Sequence, residues 1–289
     1  MNKFNKLFCL SFTALVFTLG GCNDEKSEIP TFLSLKTPVI EFVPGTGSTK
    51  QNIEDYWLYV GNDLLGVFSP GQLAPVIGVG IMDMSIQPGI RTNGIRDNAY
   101  IYPFLEPYRN SVDLCACGNV VDIQPVFKYK PTAKFSFIED FESNNSFAED
   151  LDGNNLTTST VQNDTVFEGE YSLVLNADEA NKKNLTTSTL FYNDFASDGR
   201  DVYLEFNYKS NLNFQVGLEA LINGEKAQRL EYGIYNSDVW KKMYINLTDL
   251  IAASQADGGY RVIFELTHPG SSFSEQGRLY LDNIKLVHY

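Results

Sequence analysis

The sequence predicts an all-β protein made of two consecutive β-sandwiches. Short runs rich in Val, Ile, Tyr, Phe and Thr recur along the chain, broken by Gly, Pro, Asn and Asp. Several runs alternate apolar and polar residues, the period of a half-buried strand, and only residues 247–253 carry a helical period. The 289 residues, 13% of them aromatic, are enough for two domains of ordinary size.

The chain opens with Lys3 and Lys6, then an apolar run over residues 7–19 that ends in Leu19-Gly20-Gly21-Cys22. A spanning helix needs roughly 20 apolar residues, and this run is shorter. It fits the apolar region of a secretory signal. Small residues ahead of a cysteine are what a lipoprotein signal peptidase must accommodate, so residues 1–21 read as signal peptide and the Cys22 thiol as the lipid acceptor. Next comes Asn23-Asp24-Glu25-Lys26-Ser27-Glu28, polar and without apolar period. Residues 22–36 are therefore expected to form a lipidated, acidic, disordered tether. Acids directly behind a lipidated cysteine resemble the surface-export signal of Bacteroidota lipoproteins. The resemblance implies an outer-membrane protein facing outward, with the membrane as a partner through the anchor.

Residues 37–130 form the first module. Strands are expected at 38–43, 55–60, 64–68, 74–77, 82–90, 111–114 and 120–126, with Gly61-Asn62-Asp63 as a hairpin turn. Short strands at regular spacing argue a sandwich. The segments Trp57-Leu58-Tyr59-Val60, Leu65-Gly66-Val67 and Gly89-Ile90-Arg91-Thr92-Asn93-Gly94-Ile95 resemble the Ig-like or transthyretin-like sandwich at the front of many Bacteroidota lipoproteins. That implies a spacer without chemistry. Tyr100, Tyr102, Phe104 and Tyr108 fall in a segment with two prolines and no clean period. They form either a protein-contact surface or a cover over the sandwich's own open edge.

Residues 134–289 form the second module. Strands are expected at 135–142, 168–175, 202–208, 214–220, 229–235, 240–247, 260–266 and 279–286, and eight such strands make a jelly roll. On the strand at 202–208, alternation puts Tyr203 and Glu205 on one face and Leu204 and Phe206 on the other, so one face is core. Asp140-Phe141-Glu142, Gly169-Glu170-Tyr171-Ser172-Leu173, Trp240 and Tyr280-Leu281-Asp282-Asn283-Ile284 resemble the galactose-binding-like jelly roll of carbohydrate-binding modules. The resemblance implies a structural calcium where the first and last strands meet, held by Glu142 and Asp282 and by carbonyls near residues 169–172. From the residues alone, Glu142 caps a loop and Asp282 shapes a turn or pairs with a lysine. Sugar recognition needs flat aromatic faces and groups that bond hydroxyls. The candidates are Tyr208, Phe214, Tyr232, Tyr235 and Trp240, with Arg229, Asn207 and Gln215 nearby; Trp240 has a sandwich-edge packing role as its alternative.

Lys and Arg number 22 against 36 Asp and Glu, a net charge of −14, and signal cleavage removes Lys3 and Lys6. Such a surface repels nucleic acid, which is excluded as a partner. Two histidines without partner motifs, and no nucleophile elbow, phosphate loop or zinc signature, argue against an enzyme. No cofactor is required beyond the possible structural calcium. Cys115 and Cys117 read as a structural pair, free or bridged, with a redox or metal role as the alternative. The sequence thus points to a non-catalytic surface lipoprotein whose jelly roll binds a glycan or a cell-envelope partner. The alternative is an accessory subunit of a barrel-assembly, secretion or uptake machine of the outer membrane.

Overall fold

A computed structural model describes residues 29–195 and 198–289. The signal peptide, Cys22 and the first part of the expected tether lie outside the described residues.

The first sandwich contains β1 (Thr31–Leu35), β2 (Val39–Ile40), β3 (Asp55–Val60), β4 (Asp63–Phe68), β5 (Leu73–Val76), β6 (Gly80–Arg91), β7 (Ala99–Ile101), β8 (Tyr108–Leu114), β9 (Val120–Ile123) and β10 (Val126–Phe127). One sheet runs β4-β3-β6-β7 with β8 also on β6; β5-β1-β9 and the pair β10-β2 complete the module. Tyr56, Leu58, Met84, Ile86 and Leu114 from the first sheet share one core with Leu33, Leu35, Val76, Ile123 and Phe127. The expected hairpin forms between β3 and β4, with Gly61 at φ +60°, a turn conformation that glycine adopts at little steric cost. The expected strand at 120–126 splits at Gln124-Pro125, because proline has no N–H for a ladder.

β1 corrects the expected boundary at residue 36. Thr31, Leu33 and Leu35 are fully buried, and β1 pairs antiparallel with β5 and parallel with β9. Burying Leu33 and Leu35 is worth about 1.5–3 kcal/mol each, enough to draw five residues out of an otherwise polar leader. Cys115 and Cys117 are disulfide-bonded. The turn they form is tied to β1, since Thr31 Oγ1 donates to Cys115 O at 2.8 Å and accepts from Cys115 N at 2.9 Å.

The second sandwich contains β11 (Lys134–Glu139), β12 (Glu149–Asp150), β13 (Thr160–Gln162), β14 (Ser172–Ala177), β15 (Lys183–Thr187), β16 (Val202–Ser210), β17 (Phe214–Ile222), β18 (Glu225–Ile234), β19 (Ser237–Asn246), the helix α1 (Thr248–Ser254), β20 (Tyr260–Thr267) and β21 (Gly277–His288). All eight expected strands are present. One sheet runs β13-β14-β21-β16-β19 with β11 also on β21, and the other β12-β15-β20-β17-β18. From β14 to β21 the chain changes sheet at almost every connection, the hallmark of a jelly roll. Leu173, Leu204, Phe206, Val216, Val262, Phe264, Leu281 and Leu286 fill the space between the sheets.

The outer face of the β21-β16-β19 sheet is covered around Tyr203, Glu205, Tyr244, Lys285 and Val287, while Arg278 at the start of β21 stays exposed. Leu204 and Phe206 enter the jelly-roll core, while Tyr203, Tyr244 and Val287 belong to the same apolar cluster as the first sandwich. The aromatic segment at residues 100–108 supplies the contact. Tyr102 and Phe104 are buried, with the Tyr102 ring 5.7 Å from Tyr203 and 5.2 Å from Tyr244, and the Phe104 ring 4.8 Å from Tyr289. This corrects the expected contact with another protein, because the surface these two rings meet is the second module. The segment also packs back on its own sandwich, since β7 pairs with β6, Tyr102 N donates to Pro88 O at 2.8 Å and both rings belong to that sandwich's core. Tyr100 is exposed and Tyr108 half-buried. The turn after β6 adds a further join: Asn93 N donates to Tyr244 O and Asn246 N to Asn93 Oδ1, both at 2.8 Å, so the first module caps the free edge of β19.

Candidate functional site

β18 and β19 are edge strands of opposite sheets, and Tyr235-Asn236 connects them. Tyr208 OH donates to Tyr235 O at 3.1 Å and Asn236 N to Asn213 Oδ1 at 2.9 Å. With its backbone pinned, Tyr235 stands 79% exposed. Five residues on, Trp240 is half-buried against Phe167, ring centroids 5.7 Å apart.

Phe167 is delivered by a loop held from two sides. Glu142 Oε1 accepts the N–H groups of Glu170 (2.8 Å) and Tyr171 (3.0 Å). Asp282 Oδ2 accepts those of Phe167 (3.1 Å) and Glu168 (3.2 Å). Burial pushes the Asp282 carboxyl up to about 6, with Glu142 adding to the rise and three backbone N–H groups opposing it. Beside each carboxylate the backbone bends left-handed, at Phe141 (φ 62°) and Asn283 (φ 48°), conformations that need surrounding structure to hold them.

These are the two carboxylates from which calcium binding was expected. Their oxygens meet backbone N–H groups, whereas a hard cation needs carbonyl and carboxylate oxygens turned toward it. Among the described residues no three His, Cys, Asp or Glu side chains converge to hold a metal. The donor set does not fit calcium. Glu142 and Asp282 instead act as the loop-shaping residues that their local sequence suggested.

The aromatic wall of Tyr235, Trp240 and Phe167 faces the first module across a cleft of about 980 Å³. The opposite wall comes from residues 50–54, from Arg91 at the end of β6 and from the turn after it, including Lys50 and Arg96. Asn207, Lys242 and Tyr244 also line it. Asn207 is 2% exposed and its Oδ1 has no hydrogen-bond partner.

A buried polar knot fixes the two walls relative to each other. Glu205, fully buried on the outer face of β16, accepts hydrogen bonds from Tyr102 OH and, at 2.6 Å, from Tyr129 OH. Lys242 Nζ lies 3.1 Å from its other oxygen. Burial alone would raise the Glu205 carboxyl, but Lys242, Lys285 and the two phenols outweigh it and hold the group down at about 2. Burial lowers the Lys285 ammonium to about 8 despite the opposing pull of Glu205. Lys285 Nζ donates to Ser48 O at 2.7 Å. Gln51 bridges the modules, donating to Tyr129 OH (3.0 Å) and accepting from Tyr244 OH (2.8 Å).

Of the expected ligand residues, Tyr235 and Trp240 line the cleft together with the buried Tyr208 and Asn207, whereas Phe214 is packed in the jelly-roll core. Tyr232 does not line the cleft, since its OH donates to Asn246 O at 2.6 Å and burial pushes the phenol up to about 12. Arg229 lies apart, in a depression of about 220 Å³ beside α1. Phe167, Lys50, Arg96 and Lys241 were missed. The Lys241-Lys242 pair directly after Trp240 was a usable signal; Lys50 and Arg96 carried none, because they belong to the other module. The histidines serve the fold: His268 Nδ1 accepts from Gly270 N at 3.1 Å, and His288 Nε2 lies 3.3 Å from Asp194.

No protein-family model matches the chain, and no curated protein does. Similar solved structures include the CBM22-1 xylan-binding domain of a Paenibacillus barcinonensis protein, 12% identical over 54% of this chain and 95% of that one, with a TM-score of 0.39. The enzymatically active domain of a bacteriophage CBA120 tailspike is 18% identical over 46% of this chain and 18% of its own, at 0.34. A family 30 carbohydrate-binding module of a Clostridium thermocellum cellulosomal cellulase is 15% identical over 44% and 80%, also at 0.34. Scores this low leave the functional reading to the chain's own geometry.

Proposed function

We propose that the protein is a non-catalytic, lipid-anchored lipoprotein of the outer-membrane surface that binds a glycan in the cleft between its modules. One observation carries the reading: an exposed Tyr235 and a half-buried Trp240 share the wall of a cleft of about 980 Å³. That volume lies at the upper end of the roughly 300–1,000 Å³ of small-ligand sites, and aromatic rings offer sugar C–H faces flat apolar contact. The anchor rests on the Leu19-Gly20-Gly21-Cys22 signal and the acids behind it. No helix among the described residues is long and apolar enough to cross a membrane. The first sandwich, Ig-like in this reading, contributes one wall of the site as well as height above the membrane.

Isothermal titration against a panel of plant and bacterial polysaccharides tests the reading. Tyr235→Ala and Trp240→Ala should each weaken binding about 10-fold or more, as loss of a central aromatic anchor does. Silence across the panel would sink it. Cys22→Ser should release the protein from envelope fractions, and retention there would remove the anchor.

One further observation favours the accessory-subunit reading. Ile77, Val79 and Ile81, at alternate positions just before and at the start of β6, are 62–79% exposed, a run of apolar side chains of the kind that docks on protein. Native pull-down in mild detergent should recover a stoichiometric barrel protein under that reading, and Ile81→Ser should abolish the recovery.

A further inference from the structure

We infer that the glycan of the inter-module cleft is acidic, carrying a uronate carboxylate or a sulfate ester. This deepens the glycan reading above and rests on it.

The chain carries a net charge of −14, yet the cleft reverses that sign. Lys50, Arg91, Arg96, Lys241 and Lys242 line it against one carboxylate, Glu54. Two of these cations are already engaged. Arg91 is forked onto Asp55, with Nη2 3.0 Å from Oδ1, and its Nε lies 3.7 Å from Glu54. Lys242 serves Glu205. Lys50, Arg96 and Lys241 remain, all exposed, and none has an ion-pair partner within 4 Å among the described residues. On a surface this rich in carboxylates, three unpaired cations converging from two modules mark a place prepared for an external anion.

Their placement suits a polymer. Lys241 follows Trp240 on β19, while Lys50 and Arg96 stand on the first module across the cleft. A sugar lying against the Tyr235 and Trp240 rings would bring an equatorial acid group within reach of cations on either side. Asn207 supplies the independent sign of a polar ligand. It is buried in the lining, and its carbonyl oxygen has no donor. A buried acceptor without a partner is costly, and a sugar hydroxyl would complete it.

The test compares four probes by isothermal titration with the full-length protein: polygalacturonate, the same polymer after carboxyl reduction to the neutral galactan, a sulfated galactan, and a single-stranded oligonucleotide. At least one acidic glycan should bind about 10-fold or more tightly than the neutral polymer, and added salt should weaken it, as for other exposed charge contacts. Preference for polygalacturonate assigns the carboxylate; preference for the sulfated polymer assigns the sulfate. Arg96→Gln with Lys241→Gln should remove most of that preference while leaving the melting temperature in place, because both side chains are exposed. Equal binding of the neutral and acidic polymers, or a preference untouched by the double variant, would overturn the acidic assignment and leave the glycan reading standing. Equal binding of the oligonucleotide would reduce the cleft to a general polyanion trap and overturn it as well. Failure of every glycan, in this set and in the panel above, would remove both.

Discussion

The jelly roll buries charge on the outer faces of both its sheets, and the two clusters are built differently. On one sheet Glu205 is enclosed with Lys242 and Lys285, whose side chains are no more than 3% exposed, and the whole first module covers them. On the other sheet Arg261 lies between Glu219, equally buried, and Glu149, whose side chain is 44% exposed. Its cover is local: β12 and Phe191, whose ring is 4.8 Å from the guanidinium. The first cluster sets two cations against one acid, with two phenols donating to the acid. The second sets two acids against one cation; both leave polar atoms without a hydrogen-bond partner, Glu205 Oε2 and Lys242 Nζ in the first and Arg261 Nη2 in the second. Buried ion pairs are weak evidence for stability, because desolvation offsets the attraction. What they mark here is coverage, since charge on an outer face becomes buried only where something packs over it.

The largest expected effect tests the enclosed cluster. Glu205→Ala leaves Lys242 and Lys285 uncompensated and should cost about 3–5 kcal/mol in denaturant unfolding. It should also separate the unfolding of the two modules into resolvable steps. Arg261→Ala should cost less, about 1–3 kcal/mol, because Glu149 can turn to water and Gln228 still donates to Glu219 at 2.9 Å. If Arg261→Ala proves the more damaging, the difference drawn between the clusters is wrong. Gly169→Ala comes next, at about 1–2 kcal/mol. Gly169 has φ +78° and an added Cβ would collide with the Glu142 carboxylate. Because that loop carries Phe167, the Trp240 fluorescence should change too.

The smallest effect is a pH profile. Glu205 is held at about 2 against an ordinary 4.5. Its contribution is complete above pH 4.5 and is lost as pH falls toward about 2. Asp282 runs the other way, at about 6 against 3.8. The native state keeps its proton where the unfolded chain has released it, so stability falls as pH rises from 3.8 to about 6. Together the two groups place a modest maximum in melting temperature where the two windows overlap, at about pH 4. Asp282→Asn should flatten the limb above it, and a profile unchanged by that substitution would remove Asp282 from the account.

The eight main jelly-roll strands were legible because most of them alternate apolar residues with period two. β15 was not. Asn184, Thr186 and Thr187 are buried yet polar, their groups satisfied by one another and by Asn176 O and Val262 O, so no apolar pattern announces the strand. β1 was hidden by its brevity and its acidic leader. At the site, Tyr235 and Trp240 stood out as aromatics beside strand boundaries. Glu142 and Asp282 were rightly singled out as a pair, but their oxygens hold N–H groups of a loop, which a one-dimensional motif does not disclose.

Strand positions, the jelly-roll class and the face each residue takes follow from residues two to eight apart, and that information is local. Along β16 it separates Tyr203 and Glu205 from Leu204 and Phe206, whatever lies on either side. Which outer face is then covered depends on residues about a hundred positions away: Tyr102 and Tyr129 over Glu205, Glu149 over Arg261. The cleft has the same origin. Lys50, Arg96 and Trp240 share it only because an apolar junction between the modules buries enough surface to hold them there, and contact free energy of that kind exists only once distant segments have met.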